Sequence, residues 1–286
     1  MWSFWALRVA ECTCVDTVQV MSQTAQDVLR MRSPARLAMF RWYVRRYLRR
    51  HFHGVRLLRP PPRIPDGPVL VVLNHPSWWD PLIALRLSEE LAGKRHFAPI
   101  DAEQLERYGF FRRLGFYGLD RTSRSGAKAF LQTTRELLSL DDGAVWITAQ
   151  GRFTDPRQRP ADLEAGVGHV ARSMDRGVVL PLALEYPFWD ERHPEALAAF
   201  GDPIDASVLT GRAGECLATI EDRLMEIQDQ LGRAARARDP EPFTTLVGGE
   251  VGVGGVYDLW RRVLAALRGE RFDVEHRGRL PDSGQG

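Results

Sequence analysis

Two kinds of apolar pattern alternate along the chain. Continuous runs at Val69–Leu73 and Val178–Leu184 have the length of buried strands, the second read as a strand over Val178–Glu185. Shorter strand segments are expected at residues 95–100, at Tyr117–Asp120 and at Ala144–Thr148. Between them, spacings of three and four predict helices over Pro81–Leu91, Ser125–Leu140, residues 162–175 and Leu217–Ala237, with one or two short helices in 102–114. In Leu217–Ala237, Ile220, Leu224, Ile227 and Leu231 share one face. Such βα alternation predicts an α/β fold: an αβ sandwich with a mixed sheet flanked by helices.

Residues 34–53 carry a different signal. Leu37, Phe40, Val44, Tyr47 and Leu48 fall on one helical stripe, and Arg45, Arg46, Arg49 and Arg50 fall opposite, with Trp42 and Tyr43 on the flanks. An N-terminal amphipathic basic helix of this kind suits a membrane interface. It equally suits a surface helix packed on its own domain. The prolines at 60–62, followed by Pro65-Asp66-Gly67-Pro68, form a stiff connection onward. The expected organisation is an N-terminal extension at 1–33, the membrane-facing helix and proline-rich linker at 34–64, the main domain at 65–240 and a C-terminal extension at 241–286. That extension holds a Gly/Val-rich loop at 247–255 and one helix near Tyr257–Leu267. Residues 1–20 make a poor signal peptide and fit no later element, and translation is expected to begin at Met21 or Met31.

Composition narrows the class. The 286 residues are 44% hydrophobic and 27% charged, enough apolar content for a core, which excludes a disordered chain or a collagen-like repeat. No apolar run reaches the roughly 18 residues of a spanning helix. Net charge is only +2, but it is unevenly placed. Eleven arginines and no Asp or Glu lie between Val28 and Pro65, leaving about −9 on the remainder. A basic segment on a slightly acidic body implies an anionic surface as partner. No nucleic-acid module accompanies it, so no nucleic-acid partner is expected. Cys12, Cys14 and Cys216 form no disulfide framework and fit a reducing compartment.

The chemistry concentrates in Asn74-His75-Pro76-Ser77-Trp78-Trp79-Asp80, between a buried strand and a helix that Asp80 would cap and Pro81 would begin. In a regular helix residues five apart diverge, but in a turn they can meet. If His75 and Asp80 meet, the carboxylate fixes the imidazole tautomer and leaves the other nitrogen as a general base. That is the base and orienter of a triad without an enzyme nucleophile, suited to a substrate hydroxyl attacking a thioester. Read blandly, Asp80 is a helix cap and His75 a loop histidine. Ser77 lacks a Gly-x-Ser-x-Gly elbow. No metal site is expected: one His and one Asp are too few ligands, and His51 and His53 have no carboxylate near them in sequence.

The stretch resembles the first motif, Asn-His-x4-Asp, of the glycerolipid (lysophospholipid) acyltransferase family, of the lysophosphatidate acyltransferase type. Gly115–Arg121 is similar to the second motif, Gly-x-x-x-Ile-x-Arg; Ile147–Arg152 occupies the place of the third, Phe-Pro-Glu-Gly-Thr-Arg; and Val179–Leu184 resembles the fourth. The resemblance covers about residues 65–205. It implies an acyltransferase in which His75 deprotonates a lipid hydroxyl and Asp80 orients His75. Arg121, with Gly115, Gln150, Gly151 and Arg152, would contact the acceptor, and Trp78 and Trp79 would line an acyl channel or stack on the acceptor, one of them being buried. Backbone N–H groups near the helix start or Gly151 would meet the oxyanion. No cofactor is implied beyond an acyl-CoA or acyl carrier protein thioester as co-substrate. The protein would sit peripherally on the cytoplasmic side of the cell membrane. The third motif departs from the pattern. Thr148-Ala149-Gln150 stands for Phe-Pro-Glu, and Phe153 stands where the family has arginine. The departure implies an acceptor other than lysophosphatidate: a neutral or differently charged lipid, such as a glycosylated or amino-acid-linked one. The competing reading is a catalytically impaired lipid-binding protein on the same scaffold.

Overall fold

A computed structural model describes residues 23–249. Cys12, Cys14, residues 1–20, the expected helix near Tyr257–Leu267 and most of the 247–255 loop lie outside the described residues. In chain order the elements are α1 (Ala25–Met31), α2 (Pro34–His51), β1 (Gly54–Leu57), β2 (Val69–Leu73), α3 (Asp80–Leu87), β3 (Arg95–Asp101), α4 (Ala102–Arg107), β4 (Phe116–Leu119), α5 (Arg124–Leu138), β5 (Gly143–Thr148), α6 (Ala165–Arg172), β6 (Val178–Glu185), β7 (Glu195–Phe200), β8 (Ile204–Asp205), α7 (Ala213–Ala237) and β9 (Thr244–Gly248).

The nine strands form one mixed sheet in the order β4-β3-β5-β2-β6-β7-β1-β9, with β8 pairing the start of β6. From β4 to β6 every neighbouring pair is parallel, and β7 then runs antiparallel to β6. β2 is central: Val69–Leu73 pairs with Ala144–Thr148 on one side and Val178–Leu182 on the other. Its continuous apolar run reflects burial on both faces. Val69, Val71 and Leu73 pack with Val44 and Leu48 of α2 and Ile83 and Leu87 of α3. Leu70 and Val72 face the layer holding Leu137 of α5, Val167 and Val170 of α6, and Ile220 and Leu224 of α7. Each such fully buried aliphatic side chain contributes about 1.5–3 kcal/mol. This is the helix-flanked mixed sheet the pattern predicts.

The boundaries at 64/65 and 240/241 do not follow the sheet. β1 lies inside the stretch read as a linker and is paired between β7 and β9, and β9 lies in the stretch read as a C-terminal extension. A buried carboxylate ties this corner together. Glu195 of β7 meets His53 at 2.6 Å and Arg56 Nε at 2.9 Å. The histidine thus has a carboxylate partner, 142 residues away in sequence.

α2 is also more than an appendage. Leu37, Val44 and Leu48 are buried against the domain, so its apolar stripe faces the core. Arg45 meets Glu89 at 2.5 Å, and Arg41 donates to the Ser88 hydroxyl at 2.8 Å. Ahead of it, Thr24 and Asp27 cap α1 reciprocally, and α1 buries Ala25 and Val28. The fold therefore uses chain on the N-terminal side of Met31.

Candidate active site

The site gathers where parallel strands end, the usual crevice of an open α/β sheet. β2 stops at Leu73, and the next residue locks that end. The buried Asn74 amide donates to the Leu184 carbonyl at 3.0 Å and accepts the Leu184 N–H at 2.8 Å. His75 is then held by its backbone. Its N–H donates to Gln150 Oε1 at 2.8 Å, and its carbonyl accepts the Thr154 N–H at 2.9 Å.

His75 Nδ1 lies 2.6 Å from Asp80 Oδ2. The carboxylate is fully buried and fully occupied: Oδ2 also accepts the Ser77 N–H at 3.2 Å, and Oδ1 accepts the Tyr186 hydroxyl at 2.7 Å. Asp80 opens α3 as its first residue, Trp79 stands at the cap position, and the Asp80 carboxylate turns back to His75 instead of capping. With Nδ1 donating to a carboxylate, the lone pair sits on Nε2. Burial pushes the Asp80 pKa up, against the opposing effect of the hydrogen bonds from His75, Tyr186 and Ser77. Burial, reinforced by Asp80, pushes Tyr186 well above the ordinary tyrosine range. Tyr186 therefore stays protonated and donates.

The third block frames the imidazole. Gln150 is buried, and its Nε2 donates to the Ala161 carbonyl at 2.7 Å while its Oε1 holds His75. It positions His75 through the backbone and does not face the cleft. Gly151 has φ +61°, and a Cβ there would lie 2.6 Å from Arg121 Nη2. The missing side chain lets the Arg121 guanidinium donate to the Gly151 carbonyl. Arg121 also meets Glu164 at 2.6 Å, and Arg152 pairs with Asp162. The Phe153 ring sits with its centroid 4.6 Å from that of His75.

Gly115 does not join these residues. It directly precedes β4, at the end of the strand opposite the site, with φ +99°, and a Cβ there would lie 2.7 Å from the His96 carbonyl. Its conformation makes the turn into the strand that delivers Arg121. Trp78 and Trp79 stack at 4.1 Å. Neither is fully buried: Trp79 is half-buried against Phe52 at 4.8 Å, and Trp78 is 55% exposed. Sequence reasoning missed Tyr186, Glu164 and Asp162. The signal for Tyr186 was positional, since it follows directly on β6, whose end lies beside that of β2.

The site thus holds an imidazole–carboxylate pair at His-x4-Asp spacing, at the end of a central parallel strand. The comparisons give the class. Residues 49–185 match the family described as Acyltransferase, so this stretch of the chain is an acyltransferase domain. Among solved structures, it is similar to PlsC, the 1-acyl-sn-glycerophosphate (LPA) acyltransferase from Thermotoga maritima, at 16% identity and a TM-score of 0.50. The likeness covers 72% of this chain and 87% of that one, and is one of fold. None of the curated proteins matches the chain.

Proposed function

We propose that the protein transfers a fatty acyl group from the thioester of an acyl carrier protein or coenzyme A to a lipid hydroxyl. His75 Nε2 takes the hydroxyl proton as the oxygen attacks the thioester carbonyl. The resulting imidazolium is stabilised by Asp80 and returns its proton to the departing thiolate. Oriented N–H groups at the start of α3 supply positive potential near the oxyanion. No acyl-enzyme forms. The observation that carries this reading is the 2.6 Å contact between His75 Nδ1 and the buried Asp80 carboxylate.

The reaction belongs at an anionic membrane surface on the cytoplasmic side, where the acyl tail and the acceptor reside. Two features of α2 support this. Its outer flank exposes Met39 and Trp42, at 59% and 66%, beside the exposed Arg46, Arg49 and Arg50. An aromatic series then runs inward, with ring centroids at 5.9 Å for Phe40–Tyr43, 5.8 Å for Tyr43–Tyr47, 5.7 Å for Tyr47–Trp79 and 4.1 Å for Trp79–Trp78. It leads from the helix to the turn that carries His75. Each basic residue near an anionic surface contributes about 1 kcal/mol. No helix among the described residues is long and apolar enough to cross a membrane.

The test is transfer of labelled acyl groups from donor to a panel of lipid hydroxyl acceptors. Label in the lipid product is expected with the wild type and at background with His75→Ala. Flotation with anionic vesicles, at low and high salt, tests the surface: binding is expected at low salt and release at high salt.

A further inference from the structure

The two arginines beside the His75 turn already have partners. Arg121 is engaged by Glu164 and the Gly151 carbonyl, and Arg152 by Asp162. The four side chains sum to zero charge. The carboxylates come from one short segment pinned to the loop that holds His75. Its Ala161 carbonyl accepts from Gln150 at 2.7 Å, and its Glu164 N–H donates to the Ala149 carbonyl at 2.8 Å. Asp162 has φ +60°, a conformation that few non-glycine residues adopt but aspartate tolerates, and its N–H donates to Glu221 at 2.6 Å. The segment thus presents both carboxylates to the arginines from a fixed backbone. A phosphate monoester arriving here would meet guanidinium groups already paired and two carboxylates at contact distance from them. Repulsion would offset the attraction.

The group beside the imidazole adds no charge. Phe153, 62% exposed, offers an aromatic face next to His75, and the exposed Trp78 ring offers another on the same turn. Such faces suit the C–H face of a sugar or polyol.

We propose that Glu164 and Asp162 are specificity-determining residues. They act as resident anions that exclude acceptors with a phosphate monoester beside the reacting hydroxyl, and the site takes a lipid whose head group there is an uncharged sugar or polyol. The proposal rests on the acyl-transfer reading of His75, and two readouts separate the two claims. The first compares kcat/KM for lysophosphatidate with that for a monoacylglycerol and an acylated glucoside, in wild type, Glu164→Gln, Asp162→Asn and the double variant. Wild type is expected to favour the uncharged acceptors at least about tenfold, and the double variant to shift the ratio toward lysophosphatidate by roughly tenfold. The second is titration of each protein with glycerol 3-phosphate followed by NMR, which needs no turnover. Saturable binding is expected to appear in the double variant, or in the single variants if the double does not fold, and to be absent from wild type. Wild type binding glycerol 3-phosphate as tightly as the variants, or an unchanged acceptor ratio, would overturn the proposal. If no acceptor turns over above His75→Ala, the acyl-transfer reading fails and the titration decides the exclusion of phosphate.

Discussion

The Gln150 side chain spans the space between the His75 N–H and the Ala161 carbonyl, accepting from one at 2.8 Å and donating to the other at 2.7 Å. At neutral pH an amide satisfies both ends and a carboxylate does not. A carboxylate at this buried position would still accept from His75 but would set its second oxygen against a carbonyl oxygen. Gln150→Glu is therefore expected to lose about 1–3 kcal/mol of stability at pH 7, and to recover part of it at acid pH as the new carboxyl protonates. Urea unfolding at two pH values measures this. Equal stability at pH 7 would show that the bridge is unimportant.

Removing the Tyr186 hydroxyl strips one donor from Asp80. That hydrogen bond is among the influences that lower the carboxyl's pKa, so its loss raises further a pKa already raised by burial. The carboxylate form is lost as pH falls through that pKa. Tyr186→Phe is therefore expected to move the acid limb of kcat/KM to higher pH, and to lower activity at neutral pH about tenfold. An unshifted acid limb would remove Tyr186 from the machinery.

Gly151→Ala tests the route by which Arg121 reaches the site. The residue has positive φ, and the added methyl would overlap the guanidinium. Destabilisation of about 1 kcal/mol is expected from the backbone alone, with a rise in acceptor KM as Arg121 is displaced. Thermal unfolding and steady-state kinetics separate the two effects. A variant with unchanged KM would place Arg121 outside acceptor binding.

His96 makes the fold sensitive to acid. It is buried, accepts from Trp146 Nε1 at 3.1 Å, and has its pKa lowered to about 3, chiefly by burial and then by Arg41 and Arg32. Below about pH 6.5 the unfolded chain takes up a proton on this residue that the folded chain refuses. Stability should fall as pH drops from 6.5 toward 3, at about 1.4 kcal/mol per pH unit from this group. Between pH 7 and pH 5 the His96 contribution is about 2 kcal/mol. His96→Gln, which can still accept from Trp146, should flatten the pH dependence by that amount in denaturant titrations; an identical slope would contradict the assignment.

The parts legible in the sequence were those set by local pattern. The runs that became β2 and β6 stood out because both faces of each strand are buried, and His75 and Asp80 were found because they lie only five positions apart. β1 was hidden behind a helix, four residues long, with Arg56 at a position that makes sense only beside Glu195. β7 is rich in alanine, opens with a buried glutamate and shows no strand alternation. The apolar stripe of α2 looked the same whether its partner was a bilayer or its own sheet, and packing of Val44 and Leu48 decided it. Tyr186 lies 106 positions from Asp80, and no spacing rule spans that distance. Gln150 read as a group facing the acceptor because sequence shows a residue's chemistry but not its direction.

The central claim is that the His75 imidazole removes the acceptor proton while Asp80 holds it in place. Its most direct measurement is acceptor-dependent thiol release from an acyl thioester across pH, for wild type, His75→Ala and Asp80→Asn, with circular dichroism confirming that each is folded. Release should fall to background in His75→Ala and by about 10²–10⁴-fold in Asp80→Asn. A folded His75→Ala protein that keeps most of the wild-type rate would contradict the account.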